Sequence, residues 1–132
     1  DLGELIHVHG SEKHTYYIVK NAGLPSMQSW EIEFVAQLCL LESREDDADL
    51  PFKKEKVRRD AFTKILALLR IVDALDLGEK NILQLSSARV SQKVVVLRLN
   101  GHAPAGMESI LIDRRKKLFQ KIFKRDVILE RV

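Results

Sequence analysis

Three of the chain's four histidines lie within residues 7–17, HVHGSEKHTYY, and they are the first side chains whose type and spacing suggest chemistry. In an extended segment His7 and His9 point to one side, and His14 follows about one helical turn later. Imidazoles in this pattern suit a metal ion or a phosphate, yet zinc and iron sites take three or four ligands of settled geometry. A His-x-His with one more distant imidazole falls short of that, so a polar surface with one hydrogen-bonded His14 is the plainer expectation.

Asp73 is the second candidate, because it continues the apolar series Phe62, Leu66, Leu69. A carboxylate on such a stripe is partly buried and must find donors. Arg70, His14 and the hydroxyls of Thr15 and Tyr16 are the donors expected. Asp73 then reads as a polar staple between the first and third helices, or as a metal ligand.

The third candidate is basic. Arg114, Lys117, Lys121 and Lys124 step by three, four and three and would share one helix face, with Arg115, Lys116 and Arg125 at its edges. Aligned cations attract phosphate polymers through Coulomb attraction and counterion release; the competing reading is an ordinary solvated face. Few exposed aromatics lie between the cations to stack on bases, so nucleic acid fits less well than a polyphosphate-like chain. A second basic block, Lys53, Lys54, Lys56, Arg58 and Arg59, follows the acidic run ESREDDAD at 42–49.

Helices and strands must position these groups. Ser11 to Asn21 predicts a helix, entered at Ser11 and stopped by Gly23 and Pro25. A second helix is expected from Ser29, with Trp30, Phe34, Leu38 and Leu41 on one face and Glu31 and Glu33 in its first turn; Ile32 occupies the position where a capping box from Ser29 needs an acid or amide. The acidic run and Pro51 predict a loop. From Glu55 to Leu77 two adjacent stripes, Ala61, Ile65, Leu68, Val72, Leu75 and Phe62, Leu66, Leu69, Asp73, predict a central helix buried on a wide face and ended by Gly78.

The period then changes from 3.6 to 2. Residues 82–90 and 93–99 predict a hairpin about Ser91 and Gln92. A helix over Met107–Lys124 follows, with Met107, Leu111, Leu118 and Ile122 inside and Phe119 and Phe123 alongside. DVILERV closes the chain as a third strand. The expected fold is α+β and mostly helical: one domain over 1–132, with a helical part at 1–78 and a β-α-β part at 79–132.

The 132 residues, 45% hydrophobic and 31% charged, read as a soluble globular domain, and no apolar run approaches the ~18 residues of a membrane span. Neither a secretory nor a transit segment is visible. The lone Cys39, inside FVAQLCLL, cannot form an internal disulfide and reads as a small buried hydrophobe, in keeping with a reducing cytoplasm. That setting makes it a poor nucleophile, and no Ser/His/Asp arrangement stands at a readable spacing. The six glycines are scattered singly, so no loop would cradle phosphate through backbone N–H groups. A chain that opens on Asp1 rather than Met is expected to be a piece of a longer protein.

Two segments together carry a resemblance. DLGELIHVHGSEKHTYYIVKNAGL resembles the stretch around the HD-I-G and K-H-S-Y-Y-L-I motifs in the C-terminal domain of the exopolyphosphatase / guanosine pentaphosphate phosphohydrolase family, and LALLRIVDALDLGEKNI resembles that domain's L-R-I-A-D-A-L-D helix. The resemblance covers nearly the whole chain and implies an HD-like domain. In HD-type phosphohydrolases a His, a His-Asp pair and a later Asp hold a divalent metal such as Mg or Mn. By motif, Asp1 matches the Asp of the pair, His14 the His of K-H-S, and Asp73 the later Asp.

The sequence also departs from the family pattern. The His that would precede Asp1 is not in the chain, the histidine pair before K-H reads Ser11 and Glu12, and LCLLESRED stands where the family carries R-Y-H-R-K. The resemblance further implies that phosphohydrolysis resides in two N-terminal actin-like ATPase-type domains, without counterpart here, and that the C-terminal domain takes part in a homodimer. The expected function is therefore a non-catalytic C-terminal module for dimerisation and polyphosphate or polyanion binding. The second expectation is a divalent-metal-dependent HD phosphohydrolase acting on a nucleotide or phosphoester, with His14, Asp73 and Asp1 around the ion and metal-activated water as nucleophile.

Overall fold

The computed structural model describes residues 2–76, 83–101 and 107–132, except the side chains at 107, 108 and 111. The architecture is mixed α+β and mostly helical, and the chain gathers into two compact units, Asp1–Phe62 and Thr63–Val132. The division falls inside a helix; the boundary expected at 78/79 lies in the segment outside the described residues.

The first unit holds a 3-10 turn, Leu2–Leu5, then α1 (Ser11–Asn21), α2 (Ser29–Leu41) and the start of α3 (Lys56–Leu75). The N-cap of α1 is Gly10 in the left-handed region (φ 69°), and its carbonyl accepts from the Lys13 N–H at 3.0 Å. α2 has the expected extent but a different cap. Gln28 is the N-cap, so Glu31 rather than Ile32 stands three residues on, and its carboxylate accepts from the Gln28 N–H at 2.7 Å. The core of this unit includes Ala36, Leu38, Leu41 and Phe62. Phe34, Phe52 and Phe62 form a ring cluster with centroids 5.2 to 5.6 Å apart. Phe52 comes from the loop after the acidic run and sits at φ 61°, a backbone state costing about 1–2 kcal/mol that aromatic packing offsets.

In the second unit the rest of α3 is followed by β1 (Leu83–Val90), β2 (Val94–Gly101), α4 (Met107–Arg115), α5 (Lys117–Phe123) and β3 (Asp126–Arg131). The sheet order is β1-β2-β3. β1 and β2 form the expected antiparallel hairpin, with a bulge between Leu85 and Ser87, and the Ser91 hydroxyl and N–H both donate to the Val94 carbonyl at 2.9 Å. β3 runs parallel to β2, from Val94 opposite Asp126 to Leu99 opposite Arg131, a pairing that needs the helical crossover between them. Leu66, Ala67, Ile71, Ala74, Leu99, Ile112, Leu118, Phe119 and Val127 are buried.

Two expectations change. Only one of the two apolar stripes on α3 is buried: Phe62 and Leu66 lie inside with Ala67, Arg70, Ile71 and Ala74, whereas Ile65, Leu68 and Val72 are 41%, 50% and 60% exposed. Periodicity marks both faces as apolar, but packing partners decide which is covered. The expected stop at Gly78 lies outside the described residues. The helix expected over Met107–Lys124 is two helices broken at Lys116, whose ammonium is drawn to Asp113 at 2.8 Å, Asp126 at 3.0 Å and the Val127 carbonyl at 3.4 Å. Leu118 and Phe119 are buried and Ile122 half-buried, while Met107 and Leu111 have side chains outside the described set.

This Lys116 cluster makes stability pH-dependent. Burial pushes Lys116 down, but the hydrogen bonds its ammonium donates to Asp113 and Asp126, and their charges, outweigh it and hold the ammonium above the ordinary lysine value. The Lys116 hydrogen bond, working against burial, holds Asp126 below the usual carboxylate range. A raised lysine stabilises fully below its unfolded pKa of ~10.5 and loses that contribution as pH rises through the folded value; a depressed aspartate stabilises above ~4 and loses it as pH falls through its folded value. Lys116→Met is expected to be less stable by on the order of 1 kcal/mol between those limits, with the gap closing as pH falls through the lowered Asp126 value. Urea melts across pH check this, and a gap independent of pH would contradict it.

Candidate functional site

The basic residues of α4 and α5 divide into two groups. Arg115 forms an ion pair with Asp73, Lys116 is held as described, and Arg125 Nε donates to the Ser91 carbonyl at 2.8 Å. Arg114, Lys117, Lys121 and Lys124 are exposed, and none of them pairs with a described residue. The break at Lys116 means these four do not share one continuous helix. Arg114 lies in the last turn of α4, Lys117 and Lys121 lie one turn apart on α5, and Lys124 caps α5 in the left-handed region at φ 54°.

The second basic block is in the first unit. Lys53 faces Asp49 at 3.4 Å, Arg58 pairs with Glu55 and lies 4.2 Å over the Trp30 ring, and Lys54 and Lys56 are exposed.

The histidine segment and Asp73 find partners that the sequence did not indicate. His7 Nδ1 accepts from the His9 N–H at 3.0 Å, and both rings are exposed. His14 is half-buried on α1. Thr15 Oγ1 accepts from the Gly3 N–H at 2.8 Å. The Tyr16 hydroxyl donates to Glu33 at 3.1 Å, alongside Lys20 and Gln37. These hydroxyl contacts lie within the first unit. Asp73, in the second unit, pairs with Arg115, 42 residues further along the chain. Asp1 lies outside the described residues, and among those described no group of three or more His, Cys, Asp or Glu could hold a metal ion. Cys39 is half-buried rather than fully buried; burial, then the Glu42 charge, pushes its thiol up, which disfavours the nucleophilic thiolate.

Sequence reasoning missed Arg115 as the partner of Asp73, Phe52 as a core ring, and the pairing that separates structural from unpaired cations. Helical spacing alone carried no signal for the last. No described helix is long and apolar enough to cross a membrane.

A helical segment carrying the two motif stretches on α1 and α3 leads into the three-stranded sheet with its helical crossover. The family model for Ppx/GppA phosphatase, domain III, matches residues 1–115, and the chain belongs to that family, as a C-terminal module of the exopolyphosphatase type. Arg115 is the last matched residue, so α5, β3 and three of the four unpaired cations lie past the match. Among curated proteins, none matches this chain.

Proposed function

We propose that the chain is a non-catalytic C-terminal module that supports dimer assembly and holds a polyphosphate-like polyanion, with phosphohydrolysis carried out by separate N-terminal domains. The observation that carries the reading is the division of the basic residues. Arg115, Lys116 and Arg125 are tied into the second unit, while Arg114, Lys117, Lys121 and Lys124 are left exposed to meet an anion. The exposed Ile65, Leu68 and Val72 on α3 support the assembly role, since association buries apolar surface of this kind.

Isothermal titration with long-chain polyphosphate at two salt concentrations tests the binding half. If each neutralised phosphate contributes about −0.7 to the slope of log K against log salt, as on single-stranded nucleic acid, four cations give a slope of about −3. Replacing all four with Gln is expected to abolish most of the heat, and undiminished binding would sink the proposal. Sedimentation tests assembly, a strict monomer counting against it. Mn or Mg titrated alone provides the contrast: metal heat lost in His14→Ala or Asp73→Ala would replace this reading with a metal-dependent phosphohydrolase.

A further inference from the structure

We infer that the groove between α2 and the start of α3 in the first unit binds an apolar small molecule bearing a carboxylate. Its volume is about 420 Å³, inside the ~300–1,000 Å³ range of small-molecule sites. Met27, Trp30, Phe34, Val35, Val57 and Ala61 form its walls, and Glu31 and Arg58 are its polar groups. Walls of this kind reject polyphosphate, so its ligand differs from the polyanion proposed for the cations of α4 and α5.

The walls are held in place before any ligand arrives. The Trp30 indole N–H donates to Gln28 Oε1 at 2.7 Å, and the Arg58 guanidinium covers the same ring at 4.2 Å. Phe34 is fixed by Phe52 and Phe62. A preformed apolar site avoids much of the ordering cost of binding.

The head group follows from the two charged residues. Glu31 is engaged by the Gln28 N–H at the cap of α2, and its charge directs an anionic head group away from it and toward Arg58. Arg58 uses Nη1 for Glu55, whereas its Nε and Nη2 make no hydrogen bond with a described residue. Guanidinium N–H groups at the edge of an apolar groove match a carboxylate, which accepts two such bonds side by side. A neutral head gains less, and an ammonium is repelled by Arg58.

Trp30 is the only tryptophan of the chain, so its emission reports on the groove directly. The probes are decanoate, decanol and decylammonium, each below its micelle concentration. Decanoate is expected to give a saturable blue shift, with decanol at least fivefold weaker and decylammonium weaker still. Arg58→Gln is expected to bring decanoate down to the decanol level, and Ala61→Phe, which fills the groove, to remove the response to all three. Circular dichroism melts establish that each variant is folded, and if Arg58→Gln is not, the head-group series and Ala61→Phe decide. No saturable response to decanoate, equal responses to the three probes, or binding retained in Ala61→Phe would overturn the assignment.

Discussion

Phe62→Ala is expected to cost about 3–5 kcal/mol of stability. Its ring is completely buried, edge-on to Phe34 at 5.2 Å and tilted against Phe52 at 5.6 Å. Deletion removes the transfer free energy of the ring and leaves a cavity between side chains that cannot collapse, because α2 and the loop holding Phe52 are fixed by other contacts. The loss is compounded at Phe52, whose left-handed backbone is sustained by the same cluster. Against a total stability of about 5–15 kcal/mol this is a large fraction, and the midpoint of thermal unfolding should fall by on the order of 10 °C. Val57→Ala on the same helix, at a position 83% exposed, is the control and should stay within about 0.5 kcal/mol. Equal melts for the two variants would refute the ring cluster as the anchor of the first unit.

Gly3→Ala carries the second large effect. A Cβ on Gly3 would overlap the Ser11 carbonyl, lying 2.6 Å from its carbon and 2.7 Å from Thr15 Oγ1. Neither neighbour can give way readily: one is backbone at the start of α1, and the other is the hydroxyl that accepts the Gly3 N–H at 2.8 Å. The Gly3 carbonyl also closes the 3-10 turn by accepting from the Ile6 and His7 N–H groups, both at 3.1 Å. The substitution should lift the turn from α1 at a cost of about 2–3 kcal/mol, the sum of overpacking and a lost buried hydrogen bond. Hydrogen exchange at Ile6 and His7 should speed up accordingly, and unchanged protection there would count against the close approach. Gly10 is a glycine for a different reason. Nothing lies within 4 Å of its would-be Cβ, but φ is +69°, so Gly10→Ala should cost only about 1–2 kcal/mol through backbone strain.

What the sequence made legible was local. α1 and the hairpin follow from signals within a few residues: helix punctuation at Ser11 and Gly23, and a change of period after α3. The extent of α2 was equally plain, although its cap moved by one residue because Gln28, an uncommon cap, fills the role expected of Ser29. The α3 pattern was legible as a helix and illegible as a burial map, since Ile65 and Leu66 look alike in one dimension. The break at Lys116 left no local trace either. Lysine is a good helix former, and the partner that Lys116 reaches, Asp126, lies on a later strand. For the same reason the cation spacing could be read, but which cations were already paired could not.

The parallel pairing of β3 with β2 has a consequence for the order in which the second unit is made. A hairpin such as β1-β2 closes in about 1–10 μs once its residues exist, whereas β3 must wait for the whole crossover through α4 and α5. During synthesis, at about 5–20 residues per second, the nascent hairpin therefore spends roughly a few seconds with β2 as a raw edge and the place of Val127 unfilled. Unpaired strand edges of this kind recruit other chains. The final strand works as a latch: proteolysis between α5 and Asp126 would turn a finished sheet back into a sticky nascent one, without touching a single residue of the hairpin itself.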